Sequence, residues 1–338
     1  MGNPIRIIGG GLAGLTLGIL LRRDGVPVEL WDSGTYPRKR VCGEFISGRG
    51  LTILRDLLPS LPTPSARTVQ FFNENRFSQP LELPEEALAV DRAQLDHTLA
   101  LEFQRAGGIL RENSRWTESF EMEGVVRATG RRLRKGAGML GVKIHAANVS
   151  LQSDLELHFA NDGYVGLSRL PNGEVNICAL FRDSERLRKT GTDRFAQIFS
   201  TGMGSAFERQ LGNASFVEDT FCAVAGISLR REQTTTIPEC RIGDSICMIP
   251  PLTGNGMSIA LETAALAAPI LHDYCHGRFS WCQCLNSVST QLEKLLRRRL
   301  AAAGLIQKLC FSRGGRTALL HTLRFIPRTL HSCFWSTR

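Results

Sequence analysis

The chain has 338 residues, of which 43% are hydrophobic and 22% charged, with 33 glycines. At roughly 150 residues per domain, that length suggests about two domains, or one large domain with an inserted part. The balance is that of a globular protein and excludes disordered, collagen-like and disulfide-scaffold classes.

The formal net charge is +9, so the surface attracts anions such as phosphates, nucleotides or acidic headgroups. Much of the excess sits in Arg131 to Lys135, in Arg297 to Arg299 and near the C-terminal end. Aromatic residues are too scattered for a base-stacking surface, so no nucleic-acid partner is expected. Ten cysteines with mostly apolar neighbours read as reduced, buried thiols, as in a cytoplasmic protein. Cys275, His276, Cys282 and Cys284 lie close in sequence, but they form CxC without a CxxC pair, and no metal is expected. The most apolar stretch, Met257 to Leu271, is broken by Glu262 and falls short of the roughly 18 residues of a membrane span.

In chain order, Ile5 to Ile8 predicts a strand, Leu12 to Asp24 a helix and Val26 to Trp31 a second strand, together a βαβ unit. Between them Gly9, Gly11 and Gly14 form GxGxxG. Gly9 allows the tight turn, Gly11 clears a path for a pyrophosphate, and Gly14 lets helix and strand pack closely. Leu12 and Ala13 open the helix, whose free N–H groups and dipole favour phosphate. Asp32, 18 residues after Gly14, can accept ribose hydroxyls with Ser33 beside it, whereas Glu29 lies inside the strand.

Residues 59 to 64 and Glu82 to Glu86 read as loops. Asp91 introduces a helix over Arg92 to Arg105, with Leu95, Leu99 and Phe103 at helical spacing. From Gly141 to Leu180 the pattern alternates as in an antiparallel sheet, with a hairpin turn at Pro171 to Gly173. Short helices over Thr192 to Leu211 and a strand near Phe221 to Leu229 follow. Arg241 to Ile249 predicts another strand, then a Pro/Gly loop and a helix over Met257 to Leu271. Beyond Ser280 the chain reads as helical.

Three segments carry a resemblance. PRKRVCGEFIS (37 to 47), VDRAQLD (90 to 96) and RIGDSICMIPPLTGNGM (241 to 257) resemble, in that order, motifs of the FAD-dependent oxidoreductases that include geranylgeranyl reductases and aromatic-hydroxylase-type flavin monooxygenases. The resemblance implies a doubly wound α/β FAD-binding domain of the glutathione-reductase type, with an inserted antiparallel-sheet substrate domain and a helical C-terminus. The corresponding boundaries are 1–66, 86–140 and 238–275 for the FAD domain, 67–85 and 141–237 for the substrate domain, and 276–338 for the terminal helices.

By that resemblance Gly243 and Asp244 bind the ribityl chain, and Pro251, Gly254, Asn255, Gly256 and Met257 wrap the flavin ring. Arg40, Val41, Cys42, Gly43, Arg92 and Thr129 complete the cofactor set. Glycine at 254 and 256 lets backbone lie against a flat ring, and the helix that follows turns positive dipole toward it. Cys42 can contact the flavin or be a buried structural thiol. Glu44 can donate a proton or be a surface carboxylate.

Two departures stand out. Ala128-Thr129-Gly130-Arg131 replaces the hydroxylases' ADG triplet, and Tyr164 to Arg169 lacks the reductases' YxWxFP. Lys143 and His145 alternate on one strand and share a face, expected to meet solvent; on a cavity face they could bind an anionic or phenolic oxygen.

The implied activity is FAD-dependent oxidation, with hydroxylation of a hydrophobic aromatic or polyketide-like substrate favoured. Reduction of a prenyl or lipid C=C bond and a non-catalytic flavin-bound lipid carrier are the alternatives. Lacking a second GxGxxG, the chain would take NAD(P)H only as a transient visitor. The leucines and arginines after Leu292 read either as a basic amphipathic element on anionic headgroups or as helices capping the FAD domain.

Overall fold

The computed structural model describes residues 4–61, 65–74, 76–131, 138–182, 194–229 and 239–338. Arg132 to Lys135, residues 62 to 64 and the expected helix start at Thr192 lie outside them.

The first part contains β1 (Ile5–Ile8), α1 (Leu12–Arg23), β2 (Val28–Trp31), β3 (Phe45–Ser47), α2 (Arg49–Leu57), β4 (Ser65–Asn73), β5 (Arg76–Phe77) and β6 (Leu81–Ala89). Next come α3 (Arg92–Arg105), β7 (Ile109–Arg111), β8 (Val125–Arg127), β9 (Met139–Ala147), β10 (Leu155–Phe159), β11 (Gly163–Arg169) and β12 (Val175–Phe181). Then α4 (Arg194–Ser200), α5 (Ser205–Gly212), β13 (Ser215–Ile227), β14 (Cys240–Arg241) and α6 (Gly256–Cys275) precede α7 (Trp281–Cys310), α8 (Arg313–Phe325) and α9 (Arg328–Ser336).

Two sheets organise these elements. The smaller is parallel, in the order β14-β8-β1-β2-β7, and is the Rossmann-type unit. Its helices α1, α3 and α6 share one apolar core with β1, β2 and β8. Helix α1 is buried along nearly its whole length, and its Gly18 admits the ring of Phe103 from α3. Helix α3 starts where expected because the Asp91 carboxylate accepts from the N–H groups of Ala93 (2.7 Å) and Gln94 (3.3 Å).

The larger sheet runs β13-β9-β12-β11-β10-β4-β6-β3, antiparallel except where β4 and β10 run parallel. Strand β3 and residues 86–89 of β6 come from segments that the sequence places with the nucleotide unit, yet they pair here. One face of this sheet packs Val142, Ile144, Ile177 and Leu167 under α4 and α5. Near its other face, α7 and α8 cover Phe71, Phe159 and Tyr164.

Two expected elements differ. Glu82 to Glu86 lie within β6 instead of a loop: β6 pairs with β4 at Leu81 and Glu82 and again at Ala87 and Leu88, and the register shifts across the residues between. The strand expected over Arg241 to Ile249 ends at Arg241. Gly243 adopts φ +61°, and Ser245 Oγ donates back to Ile242 O (2.6 Å) and Arg127 O (2.8 Å), which turns the chain into a short 3₁₀ helix.

Phe103 is fully buried, with Gly18 and Gly108 against its ring. Phe103→Ala is expected to destabilise the protein by about 3–5 kcal/mol, read as a lowered urea midpoint with unchanged slope.

Candidate functional site

A cleft of about 710 Å³ runs from the glycine turn after β1 to the start of α6. Every residue that the sequence singled out for the cofactor lines it except Gly14, Gly243 and Asn255, which sit behind its wall. A side chain at Gly14 would overlap the carbonyl of Gly9, and one at Gly9 would overlap the end of β8 at Ala128. At Gly11, Gly43, Gly130 and Gly256 a Cβ would instead enter open space within the cleft. The N-termini of α1 and α6 both border it.

At one end Asp32 is buried and closely held. Its carboxylate accepts from the N–H groups of Gly10 (2.6 Å) and Gly34 (2.8 Å) and from both terminal nitrogens of Arg38. Burial alone would raise its pKa, but the Arg38 guanidinium and the two N–H groups outweigh that and hold the carboxyl below its ordinary 3.8. A carboxylate has about four lone-pair positions, so Asp32 has none left for the expected ribose contact unless Arg38 withdraws. Tyr36 adds to this closure by donating to Gly10 O (2.5 Å).

Beside it Trp31 and Trp116 meet edge to face, with ring centroids 5.4 Å apart. Both line the cleft, and both indole nitrogens are buried without a hydrogen-bond partner. Sequence reading missed this pair and Arg38, because nothing in the spacing of 31, 38 and 116 announces their convergence. Toward the other end Asp244 faces the cleft half-buried. Burial raises its pKa, while Arg131, Arg92 and Arg40 pull it back.

Cys42 and Gly43 form the partition between this cleft and a second, apolar cavity of about 210 Å³. That cavity lies between the large sheet, represented by Phe71, Leu157 and Tyr164, and the terminal helices, represented by Ile306, Leu323 and Phe334. Val41, Phe45, Met248, Pro251 and Gly254 also belong to both linings. Arg131 reaches both as well.

Beneath the partition the chain turns at Glu44, which has φ +52° and sends its side chain inward, fully buried. Lys143 Nζ donates to Glu44 Oε1, the Arg92 N–H donates to the same oxygen (2.9 Å), and His145 Nε2 lies 2.7 Å from Oε2. Lys143 and His145 therefore do share a face, but it is buried instead of solvent-facing. Strand β9 is covered on both sides, so alternation along it does not mark a wet face. Neither cavity is lined by Glu44, Lys143 or His145; of the four catalytic candidates only Cys42 reaches both.

Cys42 Sγ accepts from the Glu44 N–H (3.4 Å) and lies 3.6 Å from an Arg92 guanidinium nitrogen. Arg92 also grips buried Asp96 through two 3.0 Å bonds from one terminal nitrogen. Cys178 and Cys222 flank Lys143 across the sheet. Burial pushes both thiols up, that of Cys222 to about 11, which keeps them protonated near neutrality. Among the described residues no group of three or more His, Cys, Asp or Glu side chains is placed to hold a metal ion.

Comparison with known proteins agrees with this architecture. A family model described as an NAD(P)-binding Rossmann-like domain matches residues 7–43. No curated protein sequence matches the chain. Among solved structures, the flavin-dependent brominase Bmp2 is similar with a TM-score of 0.78 at 15% identity, covering 98% of this chain and 92% of that one. The halogenase PltM gives 0.76 at 16% identity, covering 99% and 84%. PqsL of P. aeruginosa, in complex with 2-aminobenzoylacetate, gives 0.70 at 13% identity, covering 92% and 97%. The chain thus shares the fold of these proteins, among them a flavin-dependent brominase, in line with the resemblance drawn from its motifs.

Breaking the buried pair by Lys143→Met should cost about 3–5 kcal/mol, whereas Glu44→Gln with Lys143→Met should cost less than the sum of the single changes; urea denaturation of the three variants measures both. Because the folded pKa of Asp32 is depressed, its contribution is complete above the unfolded value and is lost as pH falls through the folded value. Stability measured from about pH 5 to pH 2 should fall less steeply in Asp32→Asn than in the native chain.

Proposed function

We propose that this chain is an FAD-dependent monooxygenase that hydroxylates a small apolar aromatic substrate. The observation that carries the reading is the apolar cavity sharing its wall with the cleft at Cys42, Gly43, Pro251 and Gly254. An apolar cavity of about 150 Å³ accommodates benzene, so about 210 Å³ suits a substituted ring better than a long prenyl chain.

The cleft fits FAD on its own geometry. The open glycine positions leave room for a flat ring and a pyrophosphate, Arg40, Arg92 and Arg131 supply positive potential, and Asp244 has no hydrogen-bond partner among the described residues. In this reading Asp244 receives ribityl hydroxyls, Leu12 and Ala13 offer N–H groups to phosphate, and Trp31 with Trp116 flanks the adenine end. When bound, FAD supplies two-electron redox chemistry and, once reduced, reaction with oxygen. The protein's part is to seat the substrate under Cys42 and Gly43 in a dry pocket and to keep water from the ring edge. NAD(P)H enters as a transient reductant.

The structural neighbours named as a flavin-dependent brominase and a halogenase support the oxidative over the reductive alternative. Turnover of reduced, FAD-loaded protein with small phenols under ¹⁸O₂ is expected to place one labelled oxygen in the product. Anaerobic saturation of a C=C bond would transfer the assignment to the reductase reading. A product formed only when bromide or chloride is added would transfer it to halogenation.

A further inference from the structure

Residues 276–338 contain eleven Lys or Arg and a single acid, Glu293, a net +10 against +9 for the whole chain. Residues 1–275 therefore carry −1, and the basicity of the protein belongs to α7, α8 and α9. Some of these cations are internal: Arg299 pairs with Glu262 at 3.0 Å, and Arg316 donates to Asn161 at 2.7 Å. Lys294, Arg297, Arg298, Lys308, Arg313, Arg324 and Arg328 are exposed, and none forms an ion pair among the described residues.

Apolar exposure concentrates in the same place. Of the nine large hydrophobic side chains exposed among the described residues, five lie here: Leu305, Leu309, Phe325, Ile326 and Trp335. Lys294, Arg298, Leu305, Lys308 and Leu309 are all exposed, and the steps of four and seven from 294 to 298 to 305, then of three and four from 305 to 308 and 309, put them along one outer side of α7. At the corner between α8 and α9, Phe325 (66% exposed) and Ile326 (57%) stand between Arg324 and Arg328. The inner sides of these helices, through Ile306, Leu323 and Phe334, line the apolar cavity.

We propose that the outer surface of α7–α9 docks on an anionic lipid bilayer, with Phe325 and Ile326 entering the headgroup region and the surrounding cations neutralising it. A cationic surface alone would suit any polyanion; the exposed aromatic and aliphatic side chains among the cations are what favour a bilayer. No helix among the described residues is long and apolar enough to cross a membrane, so the contact is peripheral. It would place the apolar cavity's helical wall next to a phase in which apolar substrates concentrate.

The test is sedimentation of the full chain with phosphatidylcholine vesicles and with vesicles containing 30% phosphatidylserine, at low and high salt, beside retention on heparin. Binding is expected only to the anionic vesicles and to weaken with salt. Arg324→Gln with Arg328→Gln should weaken it about 25-fold, at about fivefold per surface cation. Phe325→Ser with Ile326→Ser should weaken vesicle binding and leave heparin retention unchanged. All four residues are surface-exposed, and circular dichroism of each variant checks folding. No binding to anionic vesicles, or binding that the Phe325 and Ile326 changes do not alter, overturns the proposal; the second result would identify a surface for polyanions in general. Vesicle binding needs no substrate and no turnover, so its failure would leave the proposed chemistry untouched.

Discussion

One buried carboxylate ties the molecule together. Glu44 lies where the loop leaving the nucleotide unit crosses the large sheet, and it bonds simultaneously to Lys143 and His145 of β9 and to the first N–H of α3. A charge so deeply placed is tolerable only when its partners are fixed, because desolvation costs several kcal/mol per ion. The cluster therefore fixes the position of the sheet against α3 and, through the backbone directly above it, of Cys42 and Gly43. Since those two residues divide the cleft from the apolar cavity, the relation between the two chambers depends on Glu44. Asn176 Nδ2 and Ser168 Oγ reinforce it from β12 and β11 by donating to the carbonyls of Cys42 (3.2 Å) and Gly43 (3.2 Å).

What was legible in the sequence was what is determined locally. The glycine turn, the Asp91 cap and the hairpin at Pro171 to Gly173 each follow from residues within a few positions of one another, and the structure has each in place. The convergence on Glu44 was not legible, since Lys143 and His145 lie 99 and 101 residues away and alternation alone cannot tell a wet face from one covered by another part of the chain. Asp32 shows the same limit at shorter range. Its position at the end of β2 was evident, but its saturation by Arg38 depends on how the loop after β2 folds back. The strand assigned to 241–249 failed for a local reason that composition conceals: one glycine with positive φ outweighed an apolar run.

The terminal helices pack with one side as a helical cap and carry their cations on the other. Leu292, Leu296, Leu320 and Leu323 point inward and close the core and the apolar cavity, while the cations and a few apolar side chains remain outside. A helical cap and a charged exterior are compatible because three helices have more surface than the cavity needs. The cap also reaches the cleft's far wall: Asn255, at the start of α6, donates to Thr337 O at 2.7 Å, and Arg338 donates to Ser47 of β3.

The paired indoles of Trp31 and Trp116 have an optical consequence. The chain has four tryptophans, and these two line the cleft, Trp281 packs against Tyr274 at the start of α7, and Trp335 stands at the surface of α9. Emission from the first two will respond to whatever fills the cleft, and emission from Trp335 to the polarity of whatever touches the terminal helices. With Trp281 replaced by phenylalanine, the protein would report on its interior and its exterior at once without an added label.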